Sequence, residues 1–446
     1  MGGDVAAVLS RLSEWVWGLP LIALLVGTGA YLAILLRGIP FLRLPEALHL
    51  AFIRRKDPGA PGDISHFQAL MTALSATVGV GNIAGVATAV AIGGPGAVLW
   101  MWLTGFIGMP SKYAEAVLAV RYRTTNARGE MAGGPMYYIE RGLRRRWLAV
   151  VFAACASVAA FGIGNMVQSH SVAHGLQTSF GVPPVVSGLV MAVLTGIVLV
   201  GGVQSIARAA SVIAPAMIIV YVVAGIAALV QQAALLPGAI AEIARGAFTP
   251  PAAVGGFTGA TMAQAMRIGI ARGIFSNESG LGSSPIAAAA AQTHDPVRQG
   301  LVSMTQTFLD TVVVCAITGL VIVVSGAWQT GATGSELSLR AFERCLGPVG
   351  FWVVPVSLTL FAYSTVLGWS YYGEKALEYL VGIRAVVPYR WLFSAAVFVG
   401  AVSRLEVVWS LADIMNGLMA LPNLIALLAL SPVVLMETRR YCGRAS

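Results

Sequence analysis

The chain has 446 residues, of which 57% are hydrophobic and 11% charged, with a mean hydropathy of +0.80. A soluble domain carries roughly 25% charged residues, so these figures exclude a water-soluble globular protein and point to an all-α polytopic membrane protein. The net charge of +9 fits basic loops on one membrane face better than it fits nucleic acid.

With about 20 residues needed per crossing, the apolar runs place eleven spans. They fall at 16–36, 66–92, 97–120, 148–179, 184–201, 210–230, 258–292, 300–324, 349–381, 387–403 and 405–434. No signal-peptide pattern precedes span one. Lysines and arginines assign the sides. Arg37, Arg43, Arg54, Arg55 and Lys56 follow span one, and Arg121, Arg123, Arg128, Arg141, Arg144, Arg145 and Arg146 follow span three. Arg208, Arg298, Lys375, Arg384, Arg390, Arg439, Arg440 and Arg444 share that side, whereas Arg11, Arg245, Arg340, Arg344 and Arg404 lie opposite. The N-terminus is therefore expected outside and the C-terminus in the cytoplasm, in a cell inner (plasma) membrane.

Span two is interrupted at its centre by Ala76-Thr77-Val78-Gly79-Val80-Gly81-Asn82. Glycine weakens a helix, and free backbone polar groups are tolerated at that depth only when buried in protein or lining a watery cavity. Span seven carries a second interruption, Ala271 to Pro285, reading ARGIFSNESGLGSSP. Paired interruptions point to the midplane site of a secondary transporter. Residues 1–60 hold an extra helix and its loop. The other ten spans divide into 61–235 and 254–436, and five spans in each half give the halves opposite topology, as an inverted repeat requires. A linker at 231–257 joins them. The loop Gly129 to Pro135 reads as a turn into a short interfacial helix, Met136 to Arg141.

The strings FQALMTALSATVGVGNIAGVATA, GGPGAVLWMW, GEMAGGPMYYIERGL, FGIGNMVQ, RGIFSNESGLGSSPIAAAAA and FAYSTVLGWSYYGEKALEYL resemble the alanine/glycine:cation symporter family. They run from residue 67 to 380. The resemblance implies a LeuT-like five-plus-five inverted repeat with one extra N-terminal helix, carrying a small neutral amino acid with sodium as coupling ion. Departures are Val80, Ser279 and Ala288, where the family often has threonine, alanine and histidine; they bear on selectivity.

Each motif has a plainer alternative. Gly79, Gly81 and Gly85 include a small-xxx-small packing pattern, but with Thr77 and Asn82 they suit an unwound segment whose free amides hold a carboxylate. Ser276 and Asn277 are candidates for the substrate amino group or an ion, and the resemblance implies that Phe275 closes over the substrate. Gln168 is either interhelical glue or, as the resemblance implies, a substrate hydrogen-bonding residue; Met166 and Asn165 are weaker choices. Ser364 and Thr365 either back-bond to their helix or, as in LeuT-like sodium sites, complete an oxygen cage with Thr77 and Val78. Trp369 is either plain core or, the reading favoured here, pocket wall. Asp310, some 16 Å into span eight at about 1.5 Å per residue, is an ion ligand, a proton relay or a charge partner. Lys112 and Glu115 are spaced to pair, and Arg272 with Asp413 suggest an outer ion pair.

A channel would favour a continuous polar pore or charged rings. An enzyme would need a nucleophile–base pair or a metal cluster; the histidines and the four scattered cysteines offer no ligand spacing. A receptor would be expected to carry a signalling domain. The expected partners are therefore a small neutral amino acid, sodium and the lipid bilayer, with a proton-coupled permease as the alternative.

Overall fold

Ser65 opens the first interrupted helix with a capping box. Its Oγ accepts from the Gln68 amide at 3.2 Å, and Gln68 Oε1 accepts from the Ser65 amide at 3.0 Å, so two otherwise free donors at the start of His66–Thr77 are satisfied. The helix stops because Val78 turns extended, with φ −76° and ψ 91°. The chain resumes as a π-turn, Gly81–Gly85, and then Val86–Gly93. The two halves meet at 54°.

The computed structural model describes residues 2–248, 262–403 and 406–445. In it the second interrupted helix runs over Met262–Asn277, unwinds across 278–284 and resumes as Pro285–Ala289. Gly280 and Gly282 have φ +86°, and Glu278 has φ 54°. That left-handed region costs a non-glycine residue roughly 1–2 kcal/mol, so the break is held by its surroundings. Residues 254–261 of the second expected repeat, residue 405 of span eleven, and Arg404, Pro250 and Pro251 lie outside the described residues.

A helix or interrupted helix stands at each expected crossing. Among the described residues, 7 helices are long and apolar enough to cross a membrane, or 8 with the bent pair counted. Of the rest, Ala97–Arg121 carries Lys112 and Glu115, Pro184–Val200 is apolar but short, and the second interrupted helix is broken. The first crossing begins as Gly2–Val16 and continues as Leu19–Leu35, with Pro20 in its first turn.

Two differences have a clear cause. The expected linker holds a helix, Leu236–Phe248, which buries Ala239, Ile243 and Ala247 at helical spacing; its length suits a surface helix rather than a span. Between spans eight and nine, Gly334–Leu346 buries Leu337, Ala341, Phe342 and Cys345. Both are amphipathic, so a search for long apolar runs passes over them. The stretch expected as a turn, Gly129 to Pro135, contains the strand Met131–Ala132, which pairs with Thr124–Thr125 in a hairpin closed at 126–130, and the short helix after it is Pro135–Gly142.

Span nine, Pro348–Val381, crosses the centre. At Gly368 it lies so close to the first interrupted helix that a Cβ would stand 2.6 Å from the Ala76 amide nitrogen. Spans five and six turn Val186, Val193, Ile197, Ile219 and Val223 outward, an apolar surface suited to lipid.

Candidate functional site

The two breaks meet. Around a central cavity of about 20 Å³ stand Thr77, Gly79, Val80 and Gly81 from the first and Phe275, Ser276 and Glu278 from the second. Ile163 and Gln168 of span four, Thr365 and Trp369 of span nine, and Asn416 of span eleven complete the lining. That volume suits about one water molecule, so an amino acid requires the walls to move apart.

Asn82 and Asn277, expected on the cavity wall, stand behind it. Asn82 Oδ1 accepts from the Gly79 amide at 2.9 Å, which satisfies a donor freed by the break. Its Nδ2 donates to Asp310 Oδ1 at 2.7 Å. The other Asp310 oxygen accepts from Ser276 Oγ at 2.9 Å and Thr311 Oγ1 at 2.8 Å, and Asn277 Nδ2 donates to Thr311 Oγ1 at 3.1 Å. Asp310 therefore reaches both breaks, with its oxygens taken up by their side chains. Val78 and Ser364 are buried beside the lining.

On the span-nine side, Thr365 Oγ1 bonds its own helix at Phe361 O, 3.0 Å away. A Cβ on Gly79 would lie 2.6 Å from that same hydroxyl. Ser364 Oγ faces the carbonyls of Phe361 at 2.8 Å and Ser75 at 3.3 Å. Thr77 Oγ1 donates to Ala73 O at 3.1 Å and accepts from Gln306 Nε2 at 3.1 Å. Gln168 Nε2 donates to Ile163 O at 3.0 Å, while its buried Oε1 has no protein partner. Asn165 instead braces span ten through Phe393 O at 2.7 Å, and Met166 is not part of the lining.

Glu278 is the functional-site residue that the sequence reading left in the background. Its Oε1 accepts from Trp369 Nε1 at 3.0 Å, and Ser283 Oγ donates to its Oε2. The indole is thereby fixed against Gly164, where a side chain would have no room. Lys112 and Glu115 do more than pair at 3.9 Å. Lys112 Nζ donates to the Glu278 carbonyl at 2.9 Å and to Ser284 Oγ at 2.7 Å, and Glu115 Oε1 accepts from the Gly282 amide at 3.1 Å. They satisfy backbone that the break exposes. The signal was present in the sequence as charges inside span three.

Three π-turns, Gly81–Gly85, Gly162–Met166 and Phe308–Cys315, fall on helices around this centre. Such turns frequently mark functional sites.

Among the described residues, a wide opening stands on one face. On the face opposite the basic loops a vestibule of about 810 Å³ opens between Ser13, Trp17, Arg267, Arg272 and Asp413. Phe275 lines both this vestibule and the central cavity, so its ring is the partition. The expected Arg272–Asp413 bridge is not made. Asp413 takes the Ser13 hydroxyl, its carbonyl accepts from Trp17 Nε1 at 3.0 Å, and the Arg272 guanidinium sits 5.9 Å from the Phe275 ring centre. On the basic face the loop after span one is tied to the start of span eight. Arg298 donates to both Asp57 oxygens at 2.8 and 3.0 Å. Burial alone would raise the Asp57 carboxyl, but Arg298 and His66 hold it below the usual carboxylate range.

Compared with known proteins, residues 3–446 match the model described as the sodium:alanine symporter family. The chain belongs to the sodium:alanine symporter family. A Methanococcus maripaludis protein named sodium/alanine symporter AgcS is 50% identical over 446 residues, covering 98% of this chain and 97% of that one. An uncharacterized transporter of Haemophilus influenzae is 51% identical over 443 residues, covering 99% and 97%. Among solved structures, MhsT in complex with L-phenylalanine aligns over 85% of this chain and 99% of its own, with a TM-score of 0.57 at 14% identity. The likeness gives the fold, which is LeuT-like. This family member is a multi-pass membrane protein and an amino-acid:cation symporter.

Proposed function

We propose that the protein imports a small neutral amino acid, alanine or glycine, together with sodium, by alternating access. The observation that carries this reading is the pairing of breaks around a cavity bounded by Phe275 on one side and closed backbone on the other. The substrate carboxylate is received by the backbone of Val80 and Gly81 at the break, beside the Gly79 amide that Asn82 holds, where the positive end of a half-helix favours an anion. Gln168 Oε1 and Ser276 orient the amino group, and Phe275 and Trp369 restrict the side chain. Sodium is held where Ser364 and Thr365 approach the first break, with the carbonyls near Thr77 and Val78. Asp310 lies one layer behind and ties Asn82 to Ser276, an anchoring role in preference to direct ligation.

Repeats over 61–235 and 254–436 frame the motion. The basic loops face the cytoplasm of a bacterial or archaeal cell, with the vestibule outside.

Purified protein in proteoliposomes should take up labelled alanine when a sodium gradient is imposed, with glycine an effective competitor and leucine a poor one. Uptake driven equally by a proton gradient without sodium would refute the coupling, and equal inhibition by leucine would refute the size limit.

A further inference from the structure

Where the two interrupted helices end on the basic face, their backbones are zipped together. Asp63 N donates to Ala290 O at 2.8 Å, Gln292 N to Ile64 O at 2.7 Å and Thr293 N to Pro61 O at 3.2 Å. Ile64 and Ala291 pair in parallel. Gly62 permits the approach, since a Cβ there would collide with the Gln292 backbone.

Arg123, in the loop after span three, straps this zip. One guanidinium nitrogen donates to Ala289 O at 3.0 Å and Ala291 O at 2.7 Å. Another donates to Pro61 O at 2.9 Å and Thr293 O at 2.8 Å. Every acceptor is a main-chain carbonyl, and the acceptors belong to both strands. A planar, permanently charged fork can span them; a lysine ammonium cannot reproduce that geometry.

An alternating-access carrier can open toward this face in two ways. The inner half of the first interrupted helix swings away from the second, or the two travel together. Parting them would break the backbone pairs and the arginine strap at once and leave several partly buried donors and acceptors without partners. The loop that carries Arg123 meets the inner end of span nine in another way, through side chains: Lys375 Nζ with Glu130 at 3.0 Å, and Asn126 Nδ2 with Glu378 at 2.8 Å. These pairs are partly buried in the closed state, Lys375 being 2% exposed, but opening at span nine hydrates the charged groups on both sides, so no donor or acceptor is left without a partner.

We propose that Arg123 is a positioning residue for transport, which holds the inner halves of both interrupted helices as one body, so that inward opening occurs at span nine and not between them. This rests on the alternating-access reading above.

The test joins the strands covalently. Ile64→Cys and Ala291→Cys, in a chain carrying Cys442→Ser, are linked by oxidation or a short bis-alkylating reagent in proteoliposomes, and alanine uptake is compared with the unlinked sample. Uptake within about twofold of the unlinked carrier supports the proposal. Uptake that vanishes on oxidation and returns on reduction overturns it. Arg123→Ala should lower uptake by about tenfold, and the cross-link should restore most of the loss; wild-type uptake by Arg123→Ala without the link also overturns it. If no sample takes up alanine, the substrate proposal fails, and spin labels at Pro61 and His294, both exposed, decide separately. Their distance is constant with and without sodium if the zip stays closed, and a change overturns the proposal.

Discussion

Gln168 divides its amide between two tasks. Nε2 closes the π-turn of its own helix at Ile163 O, while Oε1 lies in the central lining without a protein partner. A buried acceptor left unmet costs about 1–3 kcal/mol, which a substrate ammonium would recover. Gln168→Ala should therefore weaken alanine binding by about one to two decades while the protein remains folded. Alanine affinity unchanged in a calorimetric titration of the well-folded variant would return Gln168 to a purely interhelical role. The residues behind the cavity show why sequence reasoning stopped where it did. Asn82 and Asn277 stood at the right breaks, but which way an amide points depends on partners far along the chain, Asp310 and Thr311. Glu278 was visible as an intramembrane carboxylate, yet its link to Trp369 spans 91 residues of sequence and leaves no local pattern.

At the scale of elements, the interruptions were the legible part. Glycines flanked by apolar residues on both sides announce a break, and the structure breaks both helices there. The amphipathic outer helices were not legible as spans are, because Leu236–Phe248 and Gly334–Leu346 hide their apolar faces in mixed composition. The π-turn of span four carries its glycines openly, but glycine alone does not distinguish a wide turn from close packing. On the proposed function, the first break is also where the two ligands are coupled. If Thr365 and Ser364 hold sodium against Thr77 and Val78, the ion orders the same unwound backbone whose amides receive the carboxylate. Each ligand then spares the other part of the ordering cost, and the effect is reciprocal. Thr365→Ala removes one oxygen from that cage but no substrate contact. Half-maximal sodium for alanine binding should rise several-fold, with alanine affinity approaching wild type at saturating sodium. Binding curves measured across a sodium series decide: coincident curves remove Thr365 from the ion site, and a variant that never recovers assigns it to the pocket or the fold.

Taken as a whole molecule, the chain has one open face and one shut face, and the two differ in charge. The vestibule ends at the Phe275 ring, and among the basic loops the side-chain contacts to span nine, beside the permanent zip, hold the inner side closed. Basic loops are retained in the cytoplasm, so on the proposed orientation the vestibule should face outward, with the Phe275 ring between it and the central cavity. Arg267 is exposed in the vestibule and His294 is exposed beside the zip. Each can therefore report one side. Arg267→Cys and His294→Cys, each in a chain carrying Cys442→Ser, are treated with a membrane-impermeant maleimide in vesicles of known sidedness. Right-side-out vesicles should label position 267 and spare 294; inverted vesicles should do the reverse. Labelling at 267 from the cytoplasmic side would invert the assigned topology and turn the proposed importer around. The same experiment reads the partition, since a cysteine at Ser276, one residue past Phe275 and on the central lining, should react far more slowly than position 267 from the same side. Equal rates at 267 and 276 would mean that the Phe275 ring is no barrier, and that the central site communicates freely with the vestibule.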